Sequence, residues 1–129
     1  MNKGVTVLSL FDGISCGQIA LEKAGIKVYT YYASEIDKYA IEITQKNYPN
    51  TIQLGDVRNI NSNQLPKIDL LIGGSPCQGF SMCWQRKIGD KRNELFNEVI
   101  RAVRIINPKI VIIENVVGLL SMKNANGEN

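Results

Sequence analysis

The residue types able to do covalent or acid–base chemistry fall at a few places in this chain, each just past an apolar run. Cys77 stands between Pro76 and Gln78 in Gly73-Gly74-Ser75-Pro76-Cys77-Gln78-Gly79-Phe80-Ser81; a thiol in a turn rich in glycine and proline is sterically open, whereas structural cysteines are buried. Glu114 directly follows the run Ile110 to Ile113 and precedes Asn115 and Val116. An acid there is either a partly buried, proton-carrying carboxyl or the first solvated residue. Phe11-Asp12-Gly13-Ile14-Ser15-Cys16-Gly17 holds two glycines in one short turn, where backbone can approach a ligand and a helix start offers free N–H groups to a carboxylate or phosphate. Glu35 lies about 20 residues beyond that turn, the position of an acid that accepts both ribose hydroxyls, or of a solvated surface acid. Asp56, in Gly55-Asp56-Val57, is suited to accept from an adenine amino group or to serve as a turn residue.

Composition narrows the chemistry. The 129 residues include no histidine, so a Ser-His-Asp triad, a Cys-His pair and a His-ligated metal site are excluded within the chain. A nucleophile here works without imidazole, and no metal is expected. Cys16, Cys77 and Cys83 are an odd number without C-x-x-C spacing, no leader-like N-terminus precedes them, and no apolar run is long enough to span a bilayer. A reduced, cytoplasmic protein without membrane contact is expected. The length suits one domain, taken as residues 1–129. Net charge is +3, but Gln85 to Lys109 carries seven of the fifteen basic residues against three acids, net +4, leaving the remainder at net −1.

These groups need a scaffold, and the apolar pattern supplies one. Val5–Leu10, Val28–Ala33, Ile68–Ile72 and Ile110–Ile113 read as strands, with Thr51–Leu54 a weaker one. The run Ile110 to Ile113, apolar at every position, predicts a strand covered on both faces. Ser15-Cys16-Gly17-Gln18 has the form of a capping box, predicting a helix to about Ala24 with Gly25 as its stop. Asp37 is suited to cap a second helix through Lys46, and a third runs from Asn93 to Ile106, closed by Pro108. Alternating strands and helices imply an α/β fold with a mostly parallel, Rossmann-like sheet, in which ligands bind outside the carboxyl ends of the strands.

The combination is more specific than its parts. The order Phe11-x-Gly13, Glu35, Asp56, Pro76-Cys77-Gln78, Glu114-Asn115-Val116 closely resembles the cytosine-5 DNA methyltransferase family, over Thr6 to Val116. The chain looks most like the bacteriophage-type enzymes and the catalytic domains of the animal de novo methyltransferases, which share FDGI and the GDVR of Gly55 to Arg58. The resemblance implies methyl transfer from S-adenosylmethionine, leaving S-adenosylhomocysteine, to carbon 5 of a cytosine flipped out of double-stranded DNA. Cys77 matches the nucleophile that attacks carbon 6 and Glu114 the acid that holds ring nitrogen 3 and the exocyclic amine, with Pro76 and Asn115 beside them. By the same similarity Phe11 stacks on the adenine, Gly13 and Gly17 flank the methionine end, Glu35 holds the ribose, Ile36 packs on the adenine, and Asp56 with Val57 reads its edge. Asp12, Ile14, Ser75, Pro76 and Leu95 complete the expected cofactor set. The segment Gly79 to Arg92, with Phe80, Trp84, Arg86 and Lys87, is expected to act as a lid over DNA.

Family members continue with an arginine-bearing motif, a target-recognition region, two more strands and a returning helix, none of which is found here. The fold is therefore expected to stop after its fifth strand, and the chain to be inactive alone, with either a separately encoded partner completing it or self-association at the exposed edge. Alternatives are the RNA-directed branch acting on transfer RNA, a non-catalytic fragment that binds the cofactor or a partner, and a plain dinucleotide-binding module. The last gives no reason for Ser75-Pro76-Cys77-Gln78.

Overall fold

The computed structural model describes residues 3–74 and 91–114. Five strands, β1 (Val5–Leu10), β2 (Val28–Ser34), β3 (Ile52–Gln53), β4 (Leu70–Gly73) and β5 (Ile110–Ile113), form one parallel sheet in the order β3-β2-β1-β4-β5. Three helices connect them: α1 (Cys16–Lys23), α2 (Lys38–Asn47) and α3 (Lys91–Ile106). Short 3₁₀ turns at Val57–Asn59 and Ser62–Gln64 lie between β3 and β4.

Parallel pairing buries both faces of the central strand, and β1 shows it: Val7, Leu8 and Leu10 are all buried. Because successive side chains alternate, Val7 joins Leu21 of α1 with Tyr31, Ala33 and Leu70 on one face. Leu8 and Leu10 join Val99 and Ala102 of α3 with Val57, Ile60, Ile68 and Leu71 on the other. The sheet is thus covered on opposite faces by α1 and α3.

Helix ends follow local chemistry. The Asp37 carboxylate accepts from the N–H groups of Tyr39 and Ala40, as its capping role requires. At the end of α1, Gly25 N–H donates to Glu22 and Ile26 N–H to Leu21, the paired bonds of a Schellman stop. The capping box expected at Ser15 is not formed. Ser15 is in the left-handed region (φ 69°) and its side chain makes no bond to the helix backbone; instead the Gln18 amide donates to Ser15 Oγ (2.9 Å) and to Thr51 Oγ1 (2.7 Å). The backbone twist turns the serine hydroxyl away from the helix N–H groups it was expected to meet.

β5 takes the exposed edge position expected of it, while the expectation of cover on both faces is not met among the described residues. All four of its residues are exposed, from 37% at Val111 and Ile113 to 60% at Ile110. Its inner edge pairs with β4, and among the described residues nothing pairs with its outer edge.

Candidate functional site

The sheet order reverses direction between β1 and β4, and this switch point is where an open α/β sheet forms its ligand crevice. In-register pairing of Leu10 with Ser34 and Gly73, and of Gly73 with Ile113, aligns the carboxyl ends of four strands. Across that edge the candidate groups run in the order Asp56, Glu35, Phe11 to Gly13, Gly74, Glu114. At ~4.8 Å per strand, Glu35 and Glu114 are separated by roughly 14 Å.

The turn after β1 is strained. Phe11 (φ 54°), Gly13 (φ 61°) and Ser15 (φ 69°) are all left-handed, a conformation uncommon for serine and an outlier for a bulky aromatic residue. Such strain persists where the surroundings over-determine it. Here Asp12 N–H donates to Ser34 O (3.2 Å), Gly13 N–H to Glu35 Oε1 (2.9 Å), and Thr44 Oγ1 to Gly13 O (3.3 Å). Glu35 Oε2 accepts from the N–H groups of Ile36 and Asp37, both at 2.9 Å. The carboxylate is thereby held by three backbone donors at the strand end. Ile14 and Ile36 flank it as exposed apolar side chains, Ile36 at 71%.

Beneath the turn lies a buried polar cluster. The Tyr31 hydroxyl, on a side chain only 3% exposed, donates to Asp12 Oδ1 at 2.7 Å. Burial, followed by the Asp12 carboxylate, pushes the Tyr31 hydroxyl well above the ordinary tyrosine range, against the opposing effect of the Ser9 and Ser15 hydroxyls. Asp12 Oδ2 is buried with no hydrogen-bond partner among the described residues. Gly17 is crowded from the same side, since a Cβ built there would stand 2.7 Å from the Tyr31 hydroxyl oxygen.

Asp56 is tied into the same edge through its neighbour, because Ser34 Oγ donates to Gly55 O at 2.8 Å. Its carboxylate caps the following 3₁₀ turn and grips Arg58: Oδ1 accepts from the Arg58 N–H, and Oδ2 meets Nη2 at 2.6 Å. The Arg58 side chain and N–H hold the Asp56 carboxyl below the usual carboxylate range. The Val57 side chain is buried in the α3-side core, so what Val57 can offer a ligand is backbone.

On the far side of the switch point, Glu114 N–H donates to Gly73 O (2.8 Å), and a Cβ at Gly74 would sit 3.6 Å from Glu114 Cβ. Glu114 is exposed, which matches the solvated alternative for this acid and not the buried one. Leu95, on α3, is half-buried. Ser75, Pro76, Cys77, Asn115, Cys83 and the expected lid with Phe80, Trp84, Arg86 and Lys87 lie outside the described residues. Cys16 is an exposed free thiol.

A model of C-5 cytosine-specific DNA methylases matches residues 5–129. The chain belongs to that family. Among relatives, the orphan methyltransferase M.SPRI of Bacillus phage SPR is 39% identical over 126 residues, covering 95% of this chain and 29% of its own length. The type II methyltransferase M.HhaI of Haemophilus parahaemolyticus is 36% identical over 124 residues, with 95% and 37% covered. The structure of S. pombe Dnmt2 methyltransferase superposes with a TM-score of 0.72 at 23% identity, covering 95% of this chain and 37% of that one. The chain thus spans only 29% and 37% of the two sequence relatives. Among the described residues, no helix is long and apolar enough to cross a membrane.

Side-chain partnerships also revise the electrostatic reading of this chain. Among the described residues, two of the cations between Gln85 and Lys109 are engaged internally. The Arg101 guanidinium donates to the carbonyls of Ile60 (3.2 Å), Val57 (3.0 Å) and Arg58 (3.2 Å) and to Glu98 (2.7 Å). Lys109 pairs with Asp69 at 3.2 Å. Neither role has a signal in a count of charges, and the net +4 overstates what that stretch offers a polyanion. Tyr31 was likewise missed as part of the site.

Proposed function

We propose that this chain is the cofactor-binding and nucleophile-bearing part of a DNA cytosine-5 methyltransferase. The observation that carries the reading is the Glu35 carboxylate, fixed by backbone donors and joined to a strained glycine turn at the switch point of the sheet. S-adenosylmethionine fits this donor set: Glu35 for the ribose hydroxyls, Phe11 and the exposed Ile36 against the adenine, Asp56 and the Val57 backbone at its edge, and Asp12, Gly13, Ile14 and Gly17 around the turn. Ser75, Pro76 and Leu95 extend the cofactor wall. When bound, the cofactor supplies an electrophilic methyl group.

On the substrate side, Cys77 as thiolate adds to carbon 6 of a flipped cytosine, making carbon 5 nucleophilic. Glu114 holds the exocyclic amine and ring nitrogen 3, and Pro76 and Asn115 shape the space between. The roughly 14 Å from the Glu35 end to the Glu114 end leaves room for cofactor and base side by side. Names and sources of the relatives favour a modification enzyme in the cytoplasm of a bacterial or phage-infected cell. Further strands, from more of this polypeptide or from another chain, would add at the exposed edge of β5.

Two experiments test the reading. Calorimetry with S-adenosylhomocysteine should give binding in the wild-type chain and a loss of at least about ten-fold in Glu35→Ala, a charge-assisted contact being worth that much; no heat in either protein would contradict it. In an active assembly containing this chain, Cys77→Ser should abolish covalent trapping on a duplex carrying fluorinated cytosine. Trapping on transfer RNA and not on duplex DNA would move the enzyme to the RNA-directed branch.

A further inference from the structure

The glycine at position 17 and the tyrosine at position 31 are far apart in sequence and meet under the turn that follows β1. A Cβ at Gly17 would stand 2.7 Å from the Tyr31 hydroxyl oxygen, a separation real Cβ contacts do not show, whereas its next neighbours, Ile72 Cδ1 at 3.6 Å and Tyr31 Cζ at 3.8 Å, are at ordinary contact distance. The hydroxyl alone is what forbids a side chain there. It is also the donor to Asp12 Oδ1 at 2.7 Å, and Asp12 is the residue between left-handed Phe11 and left-handed Gly13.

Tyr31 itself cannot move away. Its ring is buried among Val7, Leu21, Ala33 and Leu70, and its backbone is paired with Val7 of β1. The hydroxyl is therefore a fixed post, delivered by the sheet to the underside of the turn, with Asp12 anchored above it and α1 beginning beside it.

We propose that Tyr31 is the positioning residue of the glycine turn, its hydroxyl holding Asp12 from below, and that position 17 must be glycine to admit this hydroxyl. The assignment deepens the cofactor-binding role proposed above and rests on it only for the affinity readout. Tyr31 is buried beneath the turn and acts through Asp12 on Phe11 and Gly13.

The test is a double-mutant cycle on the full chain with Tyr31→Phe, Gly17→Ala and the pair together, read by thermal melting and by S-adenosylhomocysteine affinity. Gly17→Ala should lower both the melting temperature and the affinity, because either the hydroxyl or the turn must shift. Tyr31→Phe should weaken S-adenosylhomocysteine by roughly three- to ten-fold through loss of the Asp12 bond. The pair should melt higher than Gly17→Ala alone and bind no worse than Tyr31→Phe alone, since the added methyl then fills the space the hydroxyl left. Asp69→Asn, at the amino end of β4 and so at the opposite end of the sheet from the turn, should lower melting without changing affinity, which separates positioning from general destabilisation. Additive losses in the pair would overturn the assignment, as would a Tyr31→Phe chain that binds like wild type. If the wild-type chain binds no S-adenosylhomocysteine, the cofactor reading fails, while the melting cycle still decides whether the hydroxyl is what Gly17 accommodates.

Discussion

Replacing Arg101 with methionine keeps the apolar stem and removes the fork that holds the 3₁₀ turn after Asp56 to α3. The guanidinium makes two part-buried bonds, to Val57 O and Ile60 O, and one exposed bond, to Arg58 O. Each part-buried bond from a charged donor is worth about 1 kcal/mol after allowance for its partial exposure, and the exposed one about half of that. The exposed ion pair with Glu98, three residues away on the same helix, adds at most about 0.5 kcal/mol. The sum is a loss of about 2–3 kcal/mol. For 129 residues at about 2.1 cal/mol/K each, the unfolding entropy is roughly 0.27 kcal/mol/K, so the melting temperature should fall by roughly 7–11 °C. Differential scanning fluorimetry or calorimetry reads this directly. Arg101→Lys should recover less than half, because a single ammonium cannot span three carbonyls. A methionine variant melting within about 2 °C of wild type, or a lysine variant equal to it, would refute the reasoning and return Arg101 to the pool of cations available for DNA.

Asp37→Ala removes the acceptor for two helix N–H groups of α2 and should cost about 1 kcal/mol, roughly 4 °C in melting temperature; an unchanged transition would show that water replaces the cap. Asp69 is held below the usual carboxylate range by the Thr6 N–H first and Lys109 second. Its contribution is therefore present above the unfolded carboxyl pKa of about 3.9 and is lost as pH falls through the lower folded value. Asp69→Asn should melt below wild type at pH 7, with the gap closing below about pH 4; a gap constant from pH 7 to 3 would contradict this. Ile112→Lys, on exposed β5, should reduce self-association seen by sedimentation velocity at high protein concentration; unchanged association would place the sticky surface elsewhere.

The parts of this structure that depend on local pattern were legible in the sequence. β1 and β5 have the limits their apolar runs suggest, and Asp37 caps α2 as its chemistry requires. The run Ile68 to Ile72 overshot the start of β4 because Ile68 is buried in the core ahead of the ladder, while the Asp69 carboxylate takes the Thr6 N–H. The capping box failed because sequence spacing carries no information about the left-handed backbone at Ser15. The edge position of β5 was legible, but an all-apolar tetrapeptide has the same composition whether or not its faces are covered. Within the site, Glu35 and the glycine turn could be paired from their spacing, but Tyr31 and Arg101 act across 19 and 41 or more residues, through partners that only the sheet order and the packing of α3 bring together.

β1 lies in the middle of the sheet, yet its two neighbours are made at very different times. β2 follows soon after it, whereas its other partner begins 63 residues later, Val7 pairing with Leu70. At about 5–20 residues per second, a ribosome takes roughly 3–13 s to supply β4 after β1. Throughout that interval one edge of β1 and the α3-side face of Leu8 and Leu10 stand open, the kind of surface that recruits other nascent chains or a chaperone. Substitutions in β4 that slow its docking should therefore reduce soluble yield during synthesis even where the finished protein melts normally.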